Sequence, residues 1–92
     1  MTETTESKIK RVYEGLMNLQ LEKNRRYGDS ALKPIHVFSK VTSNEQLKAR
    51  LDDKLSRIAN GSYAKNDLAD ICGYLVLLLI NEEWTNFEDL VD

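Results

Sequence analysis

The chain has 92 residues, of which 41% are hydrophobic and 30% are charged. A chain of this length has room for a single hydrophobic core, which excludes a multidomain enzyme and predicts one domain over residues 1–92. The formal net charge of -2 argues against a globally basic protein that binds nucleic-acid polymers.

The charged residues are unevenly distributed along the chain. Residues 23–57 contain nine basic and four acidic side chains, a local charge of +5, whereas residues 66–92 contain seven acidic and no basic ones. We therefore expect the basic and acidic regions to meet, either within one chain or between copies of it.

Cysteine usage and hydropathy predict the compartment. The single cysteine, Cys72, cannot form an intrachain disulfide and lies in an apolar run, which favours a reducing compartment and a packing role. Residues 1–7 are polar and acidic and lack the pattern of a secretory signal. The apolar run 71–80 is shorter than the roughly 20 residues of a helical membrane span. We expect a cytoplasmic protein without membrane association.

The first predicted helix runs from about Thr5 to Arg26, with Thr4 or Thr5 as its N-cap. Its apolar positions recur at helical spacing and are Ile9, Val12, Tyr13, Leu16 and Leu19. The segment 27–43 follows and contains the only proline of the chain. At this length it predicts a structured connector, with a helical turn near 37–40, and long structured connectors often carry function.

The second predicted helix begins at Thr42 or Ser43, where two capping boxes overlap with Glu45 and Gln46. It ends at the Asn60-Gly61 pair, which is typical of a left-handed helix stop. Its predicted apolar face consists of Leu47, Leu51, Leu55 and Ile58.

The third predicted helix begins near Asn66 or Asp67 and continues to about Glu83. Its middle is apolar on nearly every side, which predicts burial against more than one neighbour and indicates an oligomer-forming helix. A short turn follows, with Thr85 and Glu88 as caps. Its predicted anchors are Trp84, Phe87, Leu90 and Val91. The predicted architecture is all-α, with three main helices plus a short C-terminal turn in an oligomeric helical bundle.

Asp67 and Asp70 are three residues apart, so both carboxylates project from one face of the third helix. Hard divalent cations prefer carboxylate oxygens, and this spacing can hold one Mg²⁺ together with substrate phosphates and water. The alternative is an acidic cluster that complements the helix dipole, and the pair alone favours that alternative.

The second helix carries Arg50, Lys54 and Arg57 at positions i, i+4 and i+7, with Asp53 between them. Such a basic ridge can approach phosphate oxygens, and the carboxylate can orient a guanidinium. The alternative is a solvated face of weak salt bridges, which the ridge alone favours.

The end of the first helix is a third candidate region. Residues 22–30 combine polar side chains with Gly28 and the aromatic ring of Tyr27, a frame suited to a base, a sugar or a phosphate. The alternative is a helix C-cap at Gly28 with Tyr27 packed into the core. The residues alone favour neither.

Taken together, these regions resemble the nucleotide modification associated domain family, which is common in phage genomes and is similar to the all-α MazG-like nucleoside triphosphate pyrophosphohydrolases. The resemblance spans roughly residues 19–80, about two thirds of the chain. The motifs that carry it are Lys23-Asn24-x-x-Tyr27-Gly28-Asp29-Ser30, Arg50-x-x-Asp53-Lys54-x-x-Arg57 and Asp67-x-x-Asp70-x-x-x-Tyr74.

The resemblance implies an oligomeric helical core with a nucleotide pocket. It also implies that Asp67 and Asp70 hold Mg²⁺ against the phosphates. The remaining matched positions would line the pocket and are Asn24, Tyr27, Asp29, Asp53, Lys54 and Arg57. The chain departs from the catalytic relatives in its first helix. Those relatives carry paired glutamates there, whereas only Glu22 lies near the pocket in this chain. The chain therefore has too few carboxylate ligands for a hydrolytic site with two metal ions.

We therefore expect a phage-type protein that binds or sequesters a phosphate-bearing nucleotide, for example a host immune signalling nucleotide, as an anti-defence sponge. The pocket would lie between helices or protomers of a homo-oligomer. The expected ligand-binding residues are Asn24, Tyr27, Asp29, Arg50, Asp53, Lys54, Arg57 and Tyr74, and the expected metal ligands are Asp67, Asp70 and Glu22. Two alternatives stay open, a Mg²⁺-dependent pyrophosphohydrolase and a helical module that binds another protein through its apolar third helix.

Overall fold

A computed structural model describes residues 3–28 and 42–91 and shows an all-α fold. Helix α1 spans Thr5–Tyr27, α2 spans Ser43–Ala59, α3 spans Lys65–Asn81, and a short 3-10 turn spans Glu88–Leu90. The structure confirms the predicted fold class, the three main helices and the short C-terminal turn. The connector 29–41, with the predicted turn at 37–40, lies outside the described residues.

Threonine side chains start the first two helices. The Oγ1 atom of Thr4 accepts a hydrogen bond from the backbone N–H of Ser7 at 3.1 Å, and Oγ1 of Thr42 accepts one from Glu45, also at 3.1 Å. Each bond satisfies an N–H group that has no partner inside its helix. The predicted helix starts are therefore confirmed, with Thr42 rather than Ser43 as the cap of α2.

Helices α2 and α3 both end in a residue with left-handed backbone. Gly61 has φ 76° at the end of α2, and the N–H of Ser62 donates to the carbonyl of Arg57 at 3.1 Å. An equivalent arrangement closes α3, where Glu83 occupies the left-handed position with φ 60°. Glycine adopts this conformation without a steric penalty, whereas a glutamate does not. Only the first of these two stops was predictable from the residue type.

Helix α3 is the central element and lies antiparallel to the other two. The Nδ2 atom of Asn81 donates to Oδ1 of Asn44 at 2.7 Å, which joins the end of α3 to the beginning of α2. The side chain of Gln20 donates from Nε2 to the carbonyl of Gly73 at 3.0 Å, which joins α1 to the middle of α3. Within the described residues, α1 and α2 each pack on α3 and not on each other. Helix α3 therefore has two neighbours as predicted, but the predicted burial is wrong within the described residues, because Asp67 is the one buried residue of α3.

Little of the described apolar surface is buried. Leu47 is 1% exposed and Leu51 is also buried, both on the face of α2 that packs on α3, whereas no residue of α1 is buried. Leu55, which the spacing placed on the same face, is exposed, so that prediction is wrong. The predicted apolar face of α2 no longer points at α3 in the last turns of the helix. The side chains that contact α3 there are the cations Lys54 and Arg57.

The predicted C-terminal anchors do not pack. Their side chains, Trp84, Phe87, Leu90 and Val91, are all exposed. Cys72 is also exposed, so its predicted packing role is not seen within this chain. The described residues contain no helix with both the length and the apolar composition of a membrane span.

Candidate functional site

The three motifs of the sequence meet at one end of the helical unit formed by α1, α2 and α3. At this end the last turns of α1 and α2 lie beside the beginning of α3, and the carboxylate of Asp70 on α3 joins them. Lys23, near the end of α1, places its Nζ atom 3.0 Å from Oδ1 of Asp70. Lys54, on α2, places its Nζ atom 3.1 Å from Oδ2. Because each oxygen contacts a lysine from a different helix, Asp70 links α1 to α2 across α3.

Asp67 is the buried acid of the site, and only 3% of it is exposed. Its Oδ2 atom accepts the backbone N–H of Ala64 at 2.9 Å, which also caps α3. Its Oδ1 atom accepts from Lys54 at 2.9 Å and from Arg57 at 3.1 Å. These contacts lower the pKa of Asp67 to about 2, chiefly through the hydrogen bond from Ala64 and then through Lys54.

Lys54 lies between the two aspartates, and only 14% of its side chain is exposed. Desolvation by itself disfavours a charged lysine. Here the hydrogen bonds to Asp67 and then to Asp70 outweigh desolvation and raise the pKa of Lys54 above its ordinary value. Lys54 therefore stays protonated and neutralises part of the charge of both carboxylates.

Arg57 contacts the same carboxylate from the solvent side. One nitrogen, Nη1, binds Asp67, while 55% of the side chain is exposed. A guanidinium presents five N–H groups in a planar fork, and the hydrogen bond to Asp67 uses Nη1 alone. Arg57 can therefore hold Asp67 and still bind a second anion.

Glu22 is engaged within its own helix. Its Oε1 atom lies 2.6 Å from Nη2 of Arg25 and 2.9 Å from Nε of Arg26. The hydrogen bonds from Arg25 and then Arg26 lower the pKa of Glu22. Glu22 therefore forms ion pairs with Arg25 and Arg26 on α1 and does not lie beside Asp67 and Asp70.

The arrangement does not fit the Mg²⁺ site that the resemblance implies. Asp67, Asp70 and Glu22 are each bound to cationic side chains, and the ammonium of Lys54 lies between the two aspartates where a shared ion would sit. Within residues 3–28 and 42–91, no group of three or more His, Cys, Asp or Glu side chains could hold a metal ion. A cation would have to displace Lys54 to use both aspartates.

The other expected ligand residues on α2 and α3 lie close to this network. Arg50 and Asp53 are exposed on α2 and form no ion pair with the residues that the structure describes. Tyr74 is half-buried on α3, one turn after Asp70. Arg50 and Tyr74 each lie about one helical turn from a residue of the network, Lys54 and Asp70 respectively.

The end of α1 contributes the remaining expected residues. Tyr27 is exposed, so the interpretation in which its ring packs into the core does not hold. Gly28 is the C-cap, as predicted, with φ 61° and ψ -155°, a backbone conformation that favours glycine. Asn24 is exposed on the last turn of α1, and Asp29 lies outside the described residues.

The expected ligand and metal residues did not include two side chains that assemble the site, although Lys23 is part of the first motif. Lys23 binds Asp70, and Gln20 joins α1 to α3 through the carbonyl of Gly73. Both continue the predicted apolar face of α1, because they follow Leu16 at helical spacing. A polar or basic side chain on an otherwise apolar face indicates a specific partner across the interface, and that signal was available.

The whole site carries an excess of positive charge. Its connected basic side chains are Lys23, Lys54 and Arg57, and its acidic ones are Asp67 and Asp70. With three cations against two carboxylates, this network attracts anions. Comparisons with known families, curated proteins and solved structures found no match to this chain.

Proposed function

We propose that the chain binds a phosphate-bearing nucleotide at the end of the helical unit where Lys23, Lys54 and Arg57 meet Asp67 and Asp70. The observation that carries the proposal is the geometry of Arg57. Its Nη1 atom is fixed by the buried Asp67, whereas over half of its side chain is exposed. An oriented guanidinium with a free edge is well suited to phosphate oxygens.

Two further side chains support a phosphate ligand at this end. Arg50 lies two turns before Arg57 on α2 and has no acidic partner within the described residues. Tyr27 exposes its ring at the end of α1, where a base can stack. Phosphate contacts and one aromatic platform are the elements that a nucleotide needs, which favours a nucleotide over inorganic phosphate.

Binding is favoured over hydrolysis. Metal-assisted attack of water on a phosphoanhydride needs carboxylates that are available to hold the ion. Here Asp67 and Asp70 are already paired with lysine and arginine. We therefore propose that the protein binds its ligand without hydrolysing it. Pyrophosphohydrolase activity is the alternative result of the hydrolysis experiment below.

The family resemblance supplies the proposed setting. A small nucleotide-binding protein of phage type would sequester a signalling nucleotide in the host cytoplasm and would act as a homo-oligomer. These features rest on the motifs around Tyr27, Lys54 and Asp70 and on the exposed apolar surface of the helices.

Isothermal titration calorimetry with AMP, ATP, cyclic AMP and a cyclic dinucleotide tests the proposal. We expect at least one of them to bind at submillimolar concentration and Arg50→Ala to weaken that binding about tenfold, as expected for loss of one charged hydrogen bond. Lys48→Ala is the matched control, because Lys48 is exposed on the same helix outside the site. No binding by the four probes at millimolar concentration would overturn the proposal, as would equal effects of the two substitutions.

The same protein samples distinguish binding of the nucleotide from its hydrolysis. ATP incubated with the protein and Mg²⁺ should remain ATP when analysed by anion-exchange chromatography. Release of AMP and pyrophosphate that is lost in Asp70→Asn would show the pyrophosphohydrolase instead.

A further inference from the structure

Helix α3 has an apolar face that nothing in the described chain covers. Its residues recur at spacings of three and four, with one adjacent pair, and form one stripe along the helix, here called the α3 stripe: Leu68, Cys72, Leu75, Val76 and Ile80. The four large side chains of the α3 stripe are 41% to 48% exposed. Contacts with α1 and α2 use other positions of the helix, namely Asp67, Asp70, Gly73 and Asn81.

The α3 stripe is long for a surface feature of a single chain. It extends over more than three turns, or about 18 Å of helix, and Leu75 also lines a shallow apolar groove with Leu79 and the exposed Trp84. Only Leu47 and Leu51 are buried apolar residues in the described part of the chain. Exposed apolar patches of this kind mark interaction surfaces. A second copy of the chain offers an apolar stripe of equal length.

The charges at the two ends of the α3 stripe indicate the orientation. Lys65 lies at the beginning of α3, and Glu82 and Glu83 follow its end, while Asp67 and Asp70 are engaged with α1 and α2. An antiparallel pair of α3 helices brings Lys65 of one copy beside the glutamates of the other at both ends. A parallel pair would bring like charges together. The helix dipoles also favour the antiparallel pair.

We propose that two copies of the chain form a symmetric dimer in which their α3 stripes pack antiparallel. The midpoint of the stripe lies at position 74, so a two-fold axis there places Leu68 against Ile80 of the second copy and Cys72 against Val76 of the second copy. The contact is self-complementary and closes at two subunits. This inference rests on the homo-oligomer named under the proposed function and is independent of the nucleotide.

Sedimentation equilibrium of the full chain, from 1 to 100 μM, tests the dimer. We expect a mass of twice 10.6 kDa at the upper concentrations and a loss of dimerisation by at least 100-fold in Leu75→Glu, because that substitution places two carboxylates in the centre of the contact. Leu21→Glu is the matched control, since Leu21 is an exposed leucine of α1 outside the α3 stripe. A monomer at 100 μM, or equal behaviour of the two variants, overturns the dimer.

Charge reversal tests the orientation. Lys65→Glu should weaken the dimer about fivefold or more at low salt, because it creates a repulsive contact at both ends. Combination with Glu83→Lys should restore the affinity, since the reversed charges attract again. Failure of the combination to restore it overturns the antiparallel arrangement.

Cys72 supplies a test without any variant. In the dimer the thiol is covered by the second copy, so its rate of reaction with a maleimide should fall at least tenfold as the protein concentration rises through the dissociation constant. A rate that does not depend on concentration overturns the assignment of the interface to the α3 stripe. A monomer that still binds nucleotide would overturn the dimer alone, whereas a dimer without nucleotide affinity would overturn the proposed function alone.

Discussion

The ammonium of Lys54 lies 2.9 Å from Oδ1 of Asp67, a carboxylate that is almost completely buried. The pair joins the basic region 23–57 to the acidic region 66–92 within one chain. Loss of either partner leaves the other charge poorly compensated in a desolvated position. The pair therefore makes the folded state sensitive to both pH and substitution.

Protonation of Asp67 should destabilise the fold. The folded pKa of about 2 lies below the ordinary value of 3.8. The stabilisation from this group is therefore complete above about pH 5 and is lost as the pH falls through 3.8 towards 2. Urea unfolding between pH 2 and pH 7, followed by circular dichroism, should show this loss.

Asp67→Asn isolates the contribution of this carboxylate. The amide can still accept from Ala64 but cannot pair with Lys54, so the variant should be less stable at pH 7 and show a flatter pH dependence below pH 5. Asp52→Asn is the control, because Asp52 is exposed on α2. An equally flattened profile in the control would contradict the assignment to Asp67.

Leu47 should dominate the stability of the α2–α3 contact. Truncation of this buried side chain in Leu47→Ala should lower the free energy of unfolding by about 2–5 kcal/mol. Leu55→Ala removes the same atoms from an exposed position of the same helix and should cost less than about 1 kcal/mol. Similar losses in urea unfolding would place Leu55 in a buried contact, as the helical spacing alone predicts.

Glu83→Gly should stabilise the chain. Glu83 has φ 60°, a conformation that costs a residue with a side chain about 1–2 kcal/mol and costs glycine little. Part of this gain is offset by the greater freedom of glycine in the unfolded chain. We expect a net increase of about 1 kcal/mol in the free energy of unfolding.

Glu82→Gly provides the comparison for that substitution. It removes the same charge one residue earlier, where φ is -85° and a glycine relieves no strain. It should therefore leave the stability unchanged or lower it. A gain of equal size in the two variants would attribute the effect to charge rather than to the backbone.

Substitutions of Gly73 should change the stability in a direction that depends on the size of the new side chain. An added Cβ atom would lie 3.7 Å from Nε2 of Gln20, an ordinary contact, so Gly73→Ala should raise the stability by about 0.5–1 kcal/mol through its helix propensity. Gly73→Leu should instead displace α1, because the longer side chain overlaps Gln20. Amide exchange measured by NMR should then show faster exchange in α1 than in α2. Unchanged exchange in α1 would mean that Gln20 does not hold α1 on α3.

The sequence by itself was sufficient for the local structure. The threonines that start α1 and α2 and the glycine that ends α2 act through bonds within five residues, so their effect does not depend on the rest of the fold. The same holds for the helical class of each segment, which follows from the spacing of apolar residues. The end of α3 was less predictable, because a glutamate takes the position that usually holds glycine.

The sequence also indicated most side chains of the ion-pair network but not their partners. Asp67 and Asp70 share one helix face as the spacing predicts, and two residues of the basic ridge, Lys54 and Arg57, contact them. Whether such carboxylates hold a metal or a lysine depends on the crossing of α2 over α3. That crossing places Lys54 between them, and no spacing within one helix contains this information.

Burial was decided by the tertiary structure alone. The apolar pattern of α1 and α3 predicts that one face of each helix is covered. It does not indicate which element or molecule covers that face. The packing covers Leu47 and leaves Leu55, Trp84 and the α3 stripe exposed, because α3 is shared by two helices on only part of its circumference. Local hydrogen bonds set where each helix begins and ends, whereas side-chain partners far apart in sequence are set by the relative positions of the helices.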